Sequence, residues 1–462
     1  MRYKKIVEQV ISDINSGKLA RGSRMPSLRQ MAALQHVSLT TVQNAFHQLE
    51  ELGWLLAKPQ AGFYVSAPLI NVSIPSLPQF SSRPVTLEEK TSRNASEIPP
   101  GPLGTSQLSH DLVPYEAFKR SMRRAIKNLR TDFHFYPEPS GSKQLKDAVS
   151  AQFFKYGFPF HSDDLVITNG CIDAVRFALE TTTKPGDSIA ISSPCFNGII
   201  DLLSALGRKV IEIPCLPDGI DLDQFERHAK NGTVQAGLFS TSHMNPQGIS
   251  LTAKQKQRLA QIANQLKIPV IEDDVYIELG HAKTPPLPAK YWDEGGYILW
   301  CGSISKTLSA ALRIGWCIPG QYKAKYIYAS TIARLGVNMP IQAAVADFIS
   351  SGQYNKHISA IRLCLKQQLM DYRAFVVDKF PAKTAVSAPE GGMVLWLQFP
   401  NLCTKKFEVQ LMNAEIDIRL GASFSTLPLY KDCIRINCGW PLSDDIKSQL
   451  IELARIVNES IH

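Results

Sequence analysis

The chain has 462 residues, enough for two or three domains, and its 44% hydrophobic and 20% charged residues are typical of a globular protein. The sequence contains no long apolar run, and the basic N-terminus precedes an amphipathic segment. We therefore expect neither a membrane span nor a signal peptide. The nine cysteines include no CxxC pair, which argues against a metal site and indicates a reduced, cytoplasmic setting.

The net charge of +9 is unevenly distributed, since residues 1–67 hold eight Lys/Arg against four Asp/Glu. Such an excess favours a polyanionic partner, although a solvated face often carries a similar charge. Apolar residues at helical spacing predict a first helix that ends at Gly17. Ser27 and Gln30 form a capping box for a second helix, and Ser38 caps a third. The predicted buried stripe of the third helix consists of Val42, Ala45, Phe46, Leu49 and Leu52.

Two short apolar segments follow the third helix and predict a β-hairpin, with its turn between Lys58 and Gly62. A helix–turn–helix with such a wing places the start of its third helix in the major groove of DNA. From the pattern alone, however, a protein-interaction module stays open. We expect Arg29 and Lys58 to meet phosphates, with Gly62 in the wing turn beside them. The side chains predicted to face the bases are Ser38, Thr40, Thr41 and Gln43.

This N-terminal unit resembles the GntR family of DNA-binding regulators along its whole length. The matching segments are residues 17–19, 22–29, 38–42, 49–53 and 62–65. Met25 stands where the family usually has leucine, which is a mild departure. The resemblance implies that residues 1–67 are a winged helix-turn-helix domain that binds double-stranded operator DNA, and it makes the interaction module a weak alternative.

Residues 68–106 differ in character from the chain on either side. Seven prolines and seven serines are scattered between Ser66 and Gly104, and no apolar period persists. This composition predicts a linker that is extended and semi-stiff where prolines are dense.

Residues 107–462 alternate short apolar runs with helical periods, which indicates an α/β fold. Each run is almost continuously apolar, as expected for strands that are covered on both faces of a sheet. The predicted strands are residues 165–168, 188–191, 236–239, 270–272 and 298–301.

Several residues in this region suit a phosphate group. Gly170 lies where a strand turns into a helix, so the backbone amides of Cys171 and Ile172 are exposed at a helix start. Hydroxyl donors from Ser303 and Ser305 would complete this seat, together with the guanidinium of Arg313.

A second group of residues suits the ring and the aldehyde of pyridoxal 5′-phosphate (PLP). Lys306 would bond to the aldehyde through its amine, and Asp273 would keep the pyridine nitrogen protonated. Asn245 and Tyr276 would hydrogen-bond to the ring oxygen, and Phe196 would stack on the ring. Each of these residues alone has a commoner explanation, such as a turn, a strand-end cap, a core position or a surface cation. Their combination carries the prediction.

Arg435 would clamp the carboxylate of a substrate or effector. In order and separation, the glycine turn, Asn-Pro-x-Gly, Asp-x-x-Tyr, Ser-x-Ser-Lys and the distal arginine resemble the fold-type-I aminotransferases. This resemblance implies a mostly parallel central sheet with a small C-terminal subdomain. It also implies that Tyr136 reaches the phosphate bound by a neighbouring subunit, although a core or hinge aromatic stays open. Lys146 stands where relatives often have arginine, which leaves that local contact in doubt.

A GntR winged helix, a linker and an aminotransferase-like domain together resemble the MocR-type regulators. The resemblance implies a transcriptional regulator that senses PLP, or a PLP–amino-acid adduct, with an amino acid or amine as effector. It also implies a homodimer, commonly head-to-tail with exchanged DNA-binding domains. The main alternative is a working PLP-dependent aminotransferase with an accessory DNA-binding domain. An architectural DNA binder with an inactive PLP fold is weaker, because an inactive site has no physical reason to retain the whole set of residues.

Overall fold

A computed structural model of the protein describes residues 2–58, 61–66, 72–87 and 100–461. The chain divides into two compact units, Met1–Val72 and Ser73–His462. Across the described ranges, the longest helices are too polar or too short to cross a lipid bilayer.

The N-terminal unit contains three helices followed by a two-stranded antiparallel hairpin. Its elements are α1 (Arg2–Asn15), α2 (Leu28–Leu34), α3 (Leu39–Glu51), β1 (Leu55–Lys58) and β2 (Gly62–Val65). The predicted capping box is present, because Ser27 Oγ accepts from Gln30 N at 3.3 Å and Gln30 Oε1 accepts from Ser27 N at 2.9 Å. The helix–turn–helix and the wing predicted from the sequence are therefore confirmed.

One apolar cluster holds this unit together, and the predicted stripe of α3 lies at its centre. Val42, Ala45, Phe46 and Leu49 have no exposed surface. Leu52, the fifth residue assigned to the stripe, is 50% exposed, so that assignment was wrong. The helix has ended by this position, and Leu52 serves as its C-cap instead of continuing the buried face.

The large unit is built on a mixed sheet of nine strands among the described residues. Its strands are β3 (Pro84–Thr86), β4 (Val166–Thr168), β5 (Ser188–Ser193), β6 (Lys209–Leu216), β7 (Gly219–Ile220), β8 (Ala236–Phe239), β9 (Val270–Asp273), β10 (Ile298–Ser303) and β11 (Gly315–Ile318). The pairs β6–β5, β5–β8, β8–β9 and β9–β10 are parallel, while β11 runs antiparallel to β10 and β4. The α/β fold with a mostly parallel central sheet is therefore confirmed, and strands β4, β5, β8, β9 and β10 lie where the sequence predicts strands.

Helices cover both faces of this sheet, which explains why its strands read as continuous apolar runs. The helices of the large unit are α4 (Tyr115–Leu129), α5 (Lys143–Phe154), α6 (Cys171–Thr182), α7 (Asn197–Ala205), α8 (Leu222–Lys230), α9 (Ala253–Leu266), α10 (Lys323–Arg334), α11 (Met339–Ser350), α12 (Gln353–Lys379), α13 (Thr404–Asn413) and α14 (Asp444–Ser460).

A smaller antiparallel sheet lies near the C-terminus, in the order β12–β13–β15–β14. Its strands are β12 (Ala385–Val386), β13 (Val394–Gln398), β14 (Arg419–Leu420) and β15 (Cys433–Asn437). This sheet, with α13 and α14, forms the C-terminal part expected of the fold. It also brings Arg435, on β15, into the large unit.

Because the large unit begins at Ser73, the predicted linker differs from the structure over most of its described residues. Its residues 84–86 form β3, which pairs with β6 at the edge of the large sheet. Residues 101–106 are bonded to the strands around Arg435 and to Lys306. These parts belong to the large unit, because their backbone groups find partners there that the local composition of the sequence does not reveal.

Candidate functional site

Predicted site residues meet in a cavity of about 180 Å³ in the large unit. Because parallel strands end at one edge of a sheet, residues that follow β9 and β10 lie close to the start of α6. Of the predicted residues, the following line this cavity: Cys171, Ile172, Phe196, Asn245, Asp273, Tyr276, Ser303, Ser305, Lys306 and Arg313. The sequence therefore identified most of the lining.

One corner of the cavity is arranged for an anion. Gly170 adopts a positive φ of 87° as the residue before α6, and no side chain caps the helix. A Cβ at this position would overlap the guanidinium of Arg313, so glycine is required for the close approach. Arg313 donates from Nη2 to the carbonyl of Asn169 at 2.8 Å and lies 3.5 Å from Ser305 Oγ.

The strand next to this corner supports the same glycine turn. A Cβ at Gly315, on β11, would lie 2.5 Å from the carbonyl carbon of Gly170. Ser303 Oγ lies 2.7 Å from Ser305 Oγ and accepts from the amide of Ser305 at 3.0 Å. The free amides at the start of α6, two hydroxyl groups and one guanidinium could thus hold a phosphate.

Asp273 is a buried carboxylate at the end of β9. Burial and the neighbouring Asp274 raise its pKa to about 6, against the opposing effects of Cys171 and Lys306. Cys171 donates its thiol to Asp273 Oδ1 at 3.1 Å. A protonated ring nitrogen facing this carboxylate would stabilise its charged form, so the residue suits a pyridinium.

Lys306 follows β10 and points towards the phenol of Tyr276. Its Nζ lies 5.9 Å from the centre of the Tyr276 ring and donates to the carbonyl of Ser106 at 2.5 Å. Asn245 is 8% exposed, and its Oδ1 has no hydrogen-bond partner in the ranges that the structure describes. The free Asn245 Oδ1 could therefore accept from a ring hydroxyl, and the Tyr276 phenol could donate to the same ring oxygen.

Phe196 lies directly before α7 and lines the cavity, while its stacking on a cofactor ring stays a prediction. A Cβ at Gly198 would lie 2.5 Å from Phe196 Cε1. The absence of a side chain at Gly198 therefore leaves room for the Phe196 ring. The sequence pattern did not reveal this requirement for glycine.

Arg435 is only 3% exposed but does not line the cavity. Burial lowers its pKa to about 10, and the nearby Arg419 contributes in the same direction. Its Nη2 donates to the carbonyl of Gly104, while its Nε has no partner among the residues described. Asp417 is largely engaged elsewhere, since it accepts from Arg419 and from the amide of Gly101 at 2.8 Å.

Residues 101–107, here called the strap, connect Arg435 with Lys306. Asn437, on the same strand as Arg435, donates to the carbonyls of Pro102 and Gln107 at 2.9 and 3.1 Å. Ser106 Oγ lies 2.7 Å from Tyr276 Oη, and the carbonyl of Ser106 accepts from Lys306. Sequence reasoning missed the strap, because its residues are uncharged and all of them except Gln107 were assigned to the linker.

Tyr136 lies outside the cavity and is 83% exposed. This exposure excludes a core position, while the predicted contact with a neighbouring subunit stays a prediction. Lys146 is buried and donates to Ser140 Oγ at 3.1 Å, with Asp163 Oδ1 at 3.8 Å. It therefore has local partners of its own.

The predicted DNA-facing residues of the N-terminal unit lie at the start of α3. Ser38, Thr40 and Gln43 are exposed and Thr41 is half-buried. Ser38 caps the helix through Thr41 N at 3.2 Å, and its Oγ lies 2.8 Å from Thr41 Oγ1. The hydroxyls of these two residues are thus partly engaged with each other.

Arg29 is exposed on α2, as a phosphate contact requires. Gly62 begins β2 with a φ of 95°, and the side chain of Lys58 lies outside the described residues. Arg24 is a further candidate for a phosphate contact that the sequence analysis did not assign. It is exposed, its backbone forms an isolated β-bridge with Tyr64 on the wing, and its guanidinium lies 3.8 Å from the position that a Cβ at Gly62 would take. Its basic charge next to the wing turn could have identified it.

Comparison with known proteins identifies relatives of both units. Residues 2–65 match the gntR family of bacterial regulatory proteins, and residues 102–445 match Aminotransferase class I and II. Two curated relatives from Escherichia coli K12 are uncharacterized HTH-type transcriptional regulators. YdcR is 30% identical over 100% of both chains, and YjiR is 29% identical over 99% of this chain and 98% of its own.

Solved aminotransferases share the fold of the large unit. The multiple substrate aminotransferase of Thermococcus profundus superposes with a TM-score of 0.74 at 21% identity, over 80% of this chain and 96% of that one. The kynurenine aminotransferase of Pyrococcus horikoshii superposes with a TM-score of 0.72 at 22% identity, over 80% and 97%.

Proposed function

Since the chain belongs to the aminotransferase class I and II family and joins that domain to a gntR-family DNA-binding unit, as MocR-type regulators do, we propose that it is a ligand-responsive transcriptional regulator. It binds operator DNA as a homodimer and senses PLP together with an amino acid or amine. One observation supports sensing above all. The strap occupies both the cofactor lysine and the arginine for a carboxylate.

Membership of the aminotransferase class I and II family implies PLP as the cofactor. When bound, PLP supplies an aldehyde that reacts with amines and a ring that withdraws electrons. Lys306 would hold it covalently and Asp273 would bind its ring nitrogen. Its phosphate would lie against Arg313, Ser303 and the amides at the start of α6. The unpartnered Asn245 oxygen and the Gly170 turn beside Arg313 both fit such a ligand.

The carboxylate of an effector competes with the strap for Arg435. The buried guanidinium is held by the neutral carbonyl of Gly104, and its lowered pKa reflects poor compensation of the charge. A carboxylate compensates this charge better, because it brings a full opposite charge and can accept two parallel hydrogen bonds from the guanidinium. Effector binding therefore favours a state in which Gly104 has left Arg435.

Displacement of the strap gives the ligand a route to the DNA-binding unit. Residues 84–86, which lie between that unit and the strap in the chain, are held on the large sheet by β6, so a shift of the strap acts through the large unit and not by moving the start of the connection. Where operator DNA also binds the two states with different affinity, an effector that binds the displaced state better alters operator affinity, and operator binding alters effector affinity by the same factor.

Transamination is the second candidate function, and the complete set of residues around Lys306 favours it. An aminotransferase sustains exchange between an amino acid and a 2-oxo acid, and Thr41→Ala leaves that rate intact. A regulator shows at most a single round of exchange. Steady turnover by the wild type with several 2-oxo acids would show that the protein is an aminotransferase.

Two measurements on the full-length protein test the regulator. Visible absorption during addition of PLP should show a cofactor band that Lys306→Ala abolishes. Fluorescence anisotropy with a duplex selected from a randomised pool should show binding that Thr41→Ala or Arg29→Ala removes. Lys306→Ala should retain DNA binding but lose the response to amino acids. An amino-acid response that survives Lys306→Ala would contradict sensing through this lysine.

A further inference from the structure

Helix α4 of the large unit carries an unusual concentration of positive charge. From residue 73 onwards the chain has 42 Lys/Arg and 37 Asp/Glu, a net charge of +5. The 15 residues of α4 contain five Lys/Arg and one Asp/Glu, so this helix accounts for +4 of that excess. The remainder of the unit is therefore almost neutral.

Three of these cations form one exposed stripe. Arg120, Arg123 and Lys127, here called the basic stripe, are spaced by three and four residues and so share a face of the helix. All three are exposed. The opposite side of α4 is buried through Ser121, Ala125 and Leu129, which hold the helix against the fold.

The basic stripe lacks the compensation that the other cations of α4 have. Lys119 pairs with Glu116 at 3.1 Å, and Arg124 pairs with Asp347 on α11 at 2.5 Å. In the part of the chain that the structure describes, no carboxylate forms an ion pair with Arg120, Arg123 or Lys127. Like charges at this spacing destabilise a helix by about 0.2–0.5 kcal/mol per pair, so an anionic partner would relieve the repulsion between these side chains.

A solvated face is the ordinary explanation of a charged helix, but it does not account for the concentration of charge on α4 in an otherwise nearly neutral unit. The stripe extends over roughly 10 Å of helix, and duplex DNA presents about six phosphates over such a length. We propose that the basic stripe of α4 binds the phosphate backbone of duplex DNA, as a contact additional to the winged helix. This inference rests on the proposed function, since it requires that the protein binds DNA.

The salt dependence of DNA binding tests this contact. The probe is a duplex that carries the sequence selected by the full-length protein and extends well beyond it on both sides. The test variant combines Arg120→Gln, Arg123→Gln and Lys127→Gln, because glutamine has a helix propensity close to that of lysine and arginine. The control combines Lys325→Gln, Lys383→Gln and Lys405→Gln. These lysines are exposed, and none of them forms an ion pair with another described residue. Each variant loses three positive charges, so the two have the same net charge.

The slope of log K against log salt should fall in magnitude by about 2 to 3 in the stripe variant, since each phosphate contact contributes about 0.9. The control should keep the wild-type slope, because its lysines are not gathered on one face. Equal slopes in the wild type, the control and the stripe variant would overturn the inference while leaving the proposed function standing. If the wild type binds no selected duplex, the proposed function itself has failed. Loss of binding to phosphatidylserine vesicles with unchanged DNA binding would assign the stripe to a membrane and would also overturn it.

Discussion

Gly104 allows the competition between the strap and an effector to be tested without altering a side chain that would bind the ligand. A Cβ at this position would overlap the carboxylate of Asp417. Asp417 cannot yield easily, because it is ion-paired with Arg419 and accepts from the amide of Gly101. Gly104→Ala should therefore push the strap away and break the bond between the Gly104 carbonyl and Arg435.

The size of the effect follows from that one bond. A hydrogen bond to a charged group contributes about 1.5–3 kcal/mol. In the wild type an incoming carboxylate has to break it, whereas in Gly104→Ala it is already absent. We expect the dissociation constant of an amino acid to fall by roughly 10- to 100-fold, since about 1.4 kcal/mol corresponds to a factor of ten. The folded state loses the same bond, so the melting temperature should also fall.

Titration of the PLP-loaded protein with alanine, aspartate and glutamate, followed by visible absorption, measures this change. Gly101→Ala is the matched control. It makes the same substitution in the same segment, its Cβ would lie 3.2 Å from Asp417 Cβ, and the residue has no contact with Arg435. We expect its amino-acid affinity to stay close to that of the wild type.

The opposite result would refute the competition. If Gly104→Ala is folded and loads PLP normally, yet binds amino acids as weakly as the wild type or more weakly, the Gly104 carbonyl does not occupy the effector's place. A similar gain in Gly101→Ala would show that the effect comes from general loosening near Asp417.

Four further predictions concern other parts of the molecule. Because burial raises the pKa of Asp273 to about 6, the carboxylate is lost as pH falls through that value, and PLP affinity measured by absorption should fall with it. The same raised pKa stabilises the PLP-free protein as pH falls from about 7 towards the ordinary carboxyl range, whereas the lowered pKa values of the buried His243 and the half-buried His281 act in the opposite sense; the melting temperature of the wild type should therefore depend on pH differently from that of Asp273→Asn, and identical profiles would contradict the contribution of Asp273. Gly198→Ala should raise the dissociation constant of PLP roughly tenfold, because the new Cβ would lie 2.5 Å from the Phe196 ring, which we expect to stack on the cofactor; equilibrium dialysis should show this rise and no loss of DNA binding. Ser27→Ala removes the cap of α2 and should cost about 1 kcal/mol locally, seen as faster hydrogen exchange of the α2 amides; unchanged exchange would show that the cap contributes nothing.

Local chemistry explains why so much of the site could be predicted. The glycine turn before α6, the serines at the end of β10 and the aspartate at the end of β9 each belong to the end of a strand that is recognisable as a buried apolar run. Parallel strands deliver such residues to one edge of the sheet, so local assignments were enough to bring Gly170, Asp273 and Lys306 together. The capping box of α2 was readable for the same reason, since it depends on residues three apart.

Leu52 and β3 show where local reasoning from the sequence fails. Leu52 continues the apolar period of α3 in the sequence, but the helix has already ended there, and the side chain is exposed. The short strand β3 has few residues and no apolar alternation of its own. It exists because β6 offers a free edge.

The sequence by itself determined the two kinds of unit, the helices and wing of the first, the sheet of the second and the set of groups around Lys306. These depend on periodicity, caps and side-chain chemistry, which act over a few residues. Only the tertiary structure decided that residues 101–107 hold Lys306 and Arg435, across separations of 200 and 331 residues. A backbone carbonyl is present at every position, so no sequence pattern can tell which carbonyl meets a distant cation. That choice is made when the buried donors and acceptors of the whole fold find partners.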